Sequence, residues 1–105
     1  MRDPVIHELK TWPEPFASIR SGAKTHEIRR NDRDYQVGDT LLLGEWLPQP
    51  CPGERNPSEC EACLLGRKGQ YTGAMIRAII THLTPGGQWG LPEDLCVMSI
   101  KLEKP

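Results

Sequence analysis

Three charged residues are the side chains of this sequence best suited to bind a ligand together. They are Lys24, Glu27 and Arg29, in the segment GAKTHEIRRNDRDYQVGD. Positions 25–30 have the extent of a β-strand, yet Ile28 is the one apolar residue among them. Alternation along a strand places Glu27 and Arg29 on the same face. A guanidinium that binds phosphate and a carboxylate that accepts from a base amine could therefore face one ligand.

A structural role for the same residues is the alternative. Glu27 and Arg29 could neutralise each other in a partly buried ion pair, which contributes little when exposed and is costly to bury. Lys24 could be a solvated surface lysine, a phosphate contact, or a nucleophile or base after desolvation. We expect a polar ligand cleft around the three residues, with Lys24 as a phosphate contact.

The basic residues are concentrated near this segment. The net charge is −1, which excludes a global basic field for non-specific nucleic-acid binding. Five of the 13 Lys and Arg residues nevertheless fall within positions 20–33. Arg30 and Arg33 are predicted to extend the ligand-binding patch. The alternative is a solvated surface without a ligand, because Asp32 and Asp34 reduce the positive charge of the patch.

Trp89 is the large aromatic residue of a glycine-rich loop, GGQWG. An indole on such a loop could stack on a base and so contribute to ligand binding. It could equally plug the open end of a β-barrel. His7 and His82 are expected to be core or rim histidines, whereas His26 is expected beside the cleft.

Three cysteines form a partial zinc pattern, with Cys60 and Cys63 in a C-x2-C spacing and Cys51 upstream. A structural zinc would stabilise a segment this poor in apolar residues. The fourth ligand could be His82, Cys96, an acid or none, and the competing interpretations are idle thiols or a disulfide. Cys96 is expected to be a small core residue.

Length and composition indicate one domain over 1–105, with an insertion or loop at about 48–70. Ten glycines and ten prolines favour short strands and turns over a helical bundle. No apolar run approaches the roughly 20 residues that span a bilayer, and the first residues lack the apolar region of a signal peptide. We therefore expect a cytoplasmic protein without membrane contact, and the sequence carries no signal for an oligomeric state.

A short helix is predicted between Thr11 and Gly22. Thr11 as N-cap and Glu14 three residues later form a capping box, and Gly22 provides the C-terminal stop. The apolar stripe of this helix consists of Trp12, Phe16 and Ile19.

Five strands are predicted, at 5–10, 25–30, 40–46, 75–83 and 96–102. In the last of them the inward side chains are those of Cys96, Met98, Ile100 and Leu102. These elements predict a mostly β (α+β) fold, a small antiparallel β-barrel of about five strands with an early short helix and a long cysteine-containing loop.

The segment SGAKTHEIR, followed by VGD before an apolar strand, resembles the signature of the ASCH domain, a relative of the PUA RNA-binding domains. The stretches HELKTWPEPF, EIRRNDRDYQVGDTLLLGEW, YTG and CVMSI resemble a subgroup of short phage and bacterial proteins in that superfamily. The resemblance implies a PUA-like β-barrel whose cleft lies beside the first helix. Its implied ligand is RNA or a nucleoside-like molecule, contacted by Lys24, Glu27 and Arg29.

A subset of that family resembles amidohydrolases that deacetylate N4-acetylcytidine, which gives the alternative function. If the chain is an enzyme, the resemblance makes Lys24, Thr25 and Glu27 the catalytic set. Glu27 stands where that subset has a threonine, and the later acid has no counterpart in AMIRAIITHL. A third hypothesis is a phage or host protein-interaction module that uses the cysteine loop.

Overall fold

The computed structural model describes residues 2–48 and 69–103. They form one five-stranded sheet, curled into a half-barrel, with a short helix early in the chain. The elements are β1 (Ile6–Thr11), α1 (Pro13–Ser21), β2 (His26–Arg30), β3 (Thr40–Pro48), β4 (Gly69–Pro85) and β5 (Leu95–Leu102). The predicted mostly β fold with five strands and one early helix is confirmed.

The strand order in the sheet is β1-β3-β4-β5-β2. β1 runs parallel to β3, and the other three pairings are antiparallel. β1 and β2 are therefore the two edges of the half-barrel, although only α1 separates them along the chain. β4 is longer than the predicted 75–83 because it pairs with both β3 and β5 over different parts of its length.

The core lies between the concave face of the sheet and α1. Phe16 and Ile19 of the helix are both 1% exposed, and they cover the inward side chains of the strands. Cys96 is fully buried, which confirms that it is a small core residue. The strand residues of this core cluster are Leu9, Leu41, Leu43, Ile76, Ala78, Ile80, Cys96, Met98 and Ile100, and Trp46 of β3 is buried as well.

The predicted start of the helix is wrong by one residue. Trp12 is the N-cap and makes no side-chain capping hydrogen bond, while Thr11 is the last residue of β1. Thr11 pairs with Glu45 of β3 and is buried, so strand pairing prevails over the capping box. Gly22 ends the helix as predicted, with φ of 87° in the left-handed region that glycine tolerates.

The aspartate of the VGD motif fastens the beginning of the chain to the sheet. Asp39 is 1% exposed and accepts hydrogen bonds from the Arg2 guanidinium, from His7 Nε2 and from the backbone N–H groups of Val5 and Gln36. Burial alone would raise the pKa of Asp39, but these donors outweigh it and hold the pKa well below its usual range. His7 is thus the satisfied core histidine that the sequence predicted.

No helix within the described residues has the length and apolarity that crossing a membrane requires.

Candidate ligand-binding cleft

A cleft of about 300 Å³ lies where the two edges of the half-barrel approach each other, beside the start of α1. A volume of this order is at the lower end for small-molecule sites. The residues that line the cleft are Lys10, Thr11, Trp12, Pro15, Lys24, Glu27, Ile28 and Arg29. The structure therefore brings together the predicted residues Lys24, Glu27 and Arg29.

Glu27 is the buried centre of this cleft. Its side chain is 4% exposed, because strand alternation turns it inward from β2. Arg29 Nε donates to Glu27 Oε2 over 2.7 Å, and Lys24 Nζ lies 3.4 Å from Oε1. Lys24 precedes β2, so strand alternation does not govern its direction, and it reaches the same carboxylate as Arg29. Two cations thus share one buried anion, and these three side chains together carry a net charge of +1.

Arg29 also joins the two edges of the half-barrel. Its Nη2 donates to the carbonyl oxygen of Lys10 over 2.8 Å and lies 3.3 Å from Thr11 Oγ1. Arg33 Nη1 donates in the same way to the carbonyl oxygen of Glu8, over 3.0 Å. Both acceptors are backbone groups of the edge strand β1, so arginine side chains occupy a sheet edge that is otherwise open to pairing.

The accessible groups of the cleft are its cations and one indole. The side chains of Lys24 and Arg29 are 27% and 25% exposed, and Trp12 is 48% exposed. The start of α1 adds little for an anion, because Pro13 and Pro15 have no N–H and the N–H of Phe16 donates to Trp12 O. Phosphate binding would therefore depend on the lysine and arginine side chains.

Other predicted site residues lie outside the lining of the cleft. Thr25 is exposed, and its carbonyl oxygen accepts from the N–H of Ile100. Arg30 is 72% exposed and lies 3.9 Å from Asp94. His26 is exposed and alternates with Glu27, so it lies on the outer face of β2. Arg33 contacts β1, as described above.

Trp89 lies in a separate depression of about 320 Å³. Trp89 is 90% exposed, which contradicts the alternative in which it plugs the barrel end. His82 is exposed as well, because a bulge between Ile80 and His82 interrupts the alternation of β4. It is therefore an exposed strand residue and not a core histidine.

Among the cleft residues that sequence reasoning missed are Lys10, Thr11 and Trp12. They precede Lys24 by at least twelve positions, and they reach the cleft only because the sheet curls until β1 approaches β2. The available signal in the sequence is an aromatic residue followed by prolines, WPEP, although helical spacing places Trp12 in the apolar stripe of α1. In the structure Trp12 lines the cleft and contributes an indole to it.

The predicted zinc ligands Cys51, Cys60 and Cys63 lie outside the described residues. Within 2–48 and 69–103, no group of three or more His, Cys, Asp or Glu side chains could hold a metal ion. Cys96, considered as a fourth ligand, is buried in the core.

Two comparisons relate this chain to known proteins. Residues 6–100 match the family model of a domain of unknown function, DUF3850. The chain is also 32% identical over 84 residues to an "Uncharacterized 12.9 kDa protein in GpA 3'region" of Escherichia phage P2. That match covers 80% of this chain and 59% of the phage protein. Because the family model spans nearly the whole sequence, the chain belongs to the DUF3850 family.

Proposed function

We propose that this chain is an ASCH/PUA-like module that binds RNA, or a nucleoside-like unit of it, in the cleft around Lys24, Glu27 and Arg29. The observation that carries the proposal is a buried carboxylate with two partly exposed cations, next to a half-exposed indole. The concave face of a curled sheet normally carries apolar side chains that pack in the core. In this sheet the edge strand β2 instead places the polar pair of Glu27 and Arg29 on that face.

The chemistry of the lining matches the parts of a nucleotide. Lys24 and Arg29 are cations that can contact a phosphate, Glu27 is an acceptor for an exocyclic amine, and Trp12 is a surface on which a base can stack. The overall charge of −1 makes such binding local and not a property of the whole surface.

Hydrolysis of an acylated nucleoside has less support from this geometry. Lys24 Nζ lies 3.4 Å from Glu27 Oε1 and forms a salt bridge with it, so the nitrogen is engaged by the carboxylate and not free to attack a carbonyl. Thr25, the hydroxyl expected beside Lys24, does not line the cleft. The hydroxyl that does line it belongs to Thr11, and it accepts from Arg29.

Lys24→Ala is the variant that tests the binding proposal. Lys24 holds no strands together, so its removal should leave the fold intact while weakening the affinity for single-stranded RNA. Losing one phosphate contact should also reduce the slope of log affinity against log salt by about 0.7. Anisotropy titrations of a labelled RNA hexamer at several salt concentrations measure both quantities.

Lys101→Ala is the matched control, because Lys101 is an exposed lysine on β5 outside the cleft lining. It should change neither the affinity nor the salt slope. Equal effects of the two variants, or no binding of RNA hexamers by the unaltered protein, would contradict the proposal.

A further inference from the structure

The loop between β4 and β5 holds an indole in solvent at the cost of an unfavourable backbone conformation. Trp89 has φ of 56°, in the left-handed region that bulky residues rarely adopt. The loop is held by hydrogen bonds from Gly87 N–H to Leu91 O and from Leu91 N–H to Gln88 O. A Cβ at Gly86 would overlap backbone carbonyl oxygens, so the loop packs closely against the chain that follows it. This well-packed loop leaves its indole 90% exposed.

The depression beside this indole has the chemistry of a slot for a flat base. Thr84, Leu91 and Val97 line the depression together with the indole, and two of these three side chains are wholly apolar. Gln88 lies at its border and donates through Nε2 to Pro85 O, so its amide oxygen can accept from a ligand. An aromatic face with hydrogen-bonding groups at its margin is how single-stranded bases are bound.

The slot and the cleft lie on neighbouring strands. Ile28 lines the cleft, and its cross-strand partner Val97 lines the slot. Neighbouring strands are about 4.8 Å apart, so a ligand that leaves the cleft over the edge strand β2 meets the slot on the next strand. Ile28 is 50% exposed, which leaves this crossing open.

We propose that an RNA strand bound in the cleft continues across Ile28 and Val97, and that a second base stacks on Trp89. This inference rests on the proposed function, and it assigns the ligand as single-stranded RNA longer than one nucleotide. Glu93 and Asp94 follow the loop, and their carboxylates would repel a phosphate placed beside it. The second contact is therefore made through the base and not through its phosphate.

The experiment compares a labelled U6 hexamer with uridine monophosphate. Trp89→Ala should weaken hexamer binding by about 5- to 150-fold, the effect of removing one base–aromatic stack. It should leave the affinity for the monophosphate and the salt slope of the hexamer unchanged, whereas Lys24→Ala should lower the slope. Trp89→Phe should retain most of the affinity, and Tyr71→Ala, at an exposed aromatic elsewhere on β4, should have no effect.

The outcomes separate the two proposals. Hexamer binding that is insensitive to Trp89→Ala but weakened by Lys24→Ala would overturn the second base contact and leave the cleft proposal in place. A hexamer that the unaltered protein does not bind would overturn both. Loss of monophosphate affinity in Trp89→Ala would place the indole in the same subsite as the cleft and refute a second contact. Trp89-dependent self-association or adsorption to uncharged vesicles, with RNA affinity unchanged, would assign the indole to another partner.

Discussion

Replacing Arg29 by methionine should destabilise the fold, because this side chain fastens β2 to β1 as well as lining the cleft. Methionine retains the length of the aliphatic stem and removes the guanidinium. It leaves the Glu27 carboxylate, 4% exposed, without its 2.7 Å partner, and it frees the Lys10 carbonyl oxygen from a 2.8 Å hydrogen bond. Arg29→Met therefore tests how much of the polar strand serves the fold.

The expected loss of unfolding free energy follows from how deeply the Glu27–Arg29 ion pair is buried. Breaking a fully buried ion pair costs about 3–5 kcal/mol, and a hydrogen bond to a charged group contributes about 1.5–3 kcal/mol. Arg29 is a quarter exposed and Lys24 stays beside Glu27, so the lower part of these ranges applies. We expect Arg29→Met to lower the free energy of unfolding by about 2–3 kcal/mol, which lowers Tm by about 10–20 °C in a domain of this size.

The assay is urea unfolding of Arg29→Met, of Glu27→Leu, and of the double variant. Removing both partners leaves no uncompensated carboxylate, so the double variant should recover most of the loss. Arg30→Met is the matched control, because Arg30 is 72% exposed and its contact with Asp94 is long, at 3.9 Å. It should change stability by less than about 0.5 kcal/mol.

Two results would refute this reasoning. A loss in Arg29→Met no larger than that in Arg30→Met would mean that the pair does not hold the edges of the sheet. A double variant as unstable as Arg29→Met alone would assign the loss to the contacts with β1 and not to the pair with Glu27.

Two further predictions concern acid stability and catalysis. Hydrogen bonds from Arg2 and His7 outweigh burial and keep the pKa of Asp39 below its unfolded value of about 3.9. The stability that Asp39 contributes is therefore full above about pH 5 and is lost as the pH falls through the lower, folded pKa. The stability difference between the unaltered protein and Asp39→Asn, measured by urea unfolding, should be smaller at about pH 3 than at pH 7, and an equal difference would contradict this assignment. N4-acetylcytidine should be hydrolysed slowly or not at all, because Lys24 is engaged in a salt bridge with Glu27 and Thr25 lies outside the cleft lining. Chromatography of released cytidine measures this, and rapid release that Lys24→Ala abolishes would show that the chain is an amidohydrolase.

The local sequence pattern was sufficient to predict features that depend on the alternation of side chains along a strand or on the backbone conformation of one residue. Alternation predicted that Glu27 and Arg29 point the same way and that Cys96 lies in the core. Gly22 was recognisable as the end of the helix because its backbone conformation favours glycine. These features depend on side-chain period and backbone sterics, which a short segment carries in itself.

Tertiary structure decided the features that depend on which strands become neighbours. Thr11 has the sequence of a helix cap, but its pairing with β3 makes it the end of a strand and an acceptor for Arg29. Asp39 has the sequence of a turn, but its partners Arg2 and His7 lie more than thirty positions away. The cleft itself exists because the sheet curls until its two edges meet at Arg29. Such contacts join residues far apart in sequence, and no local periodicity encodes them.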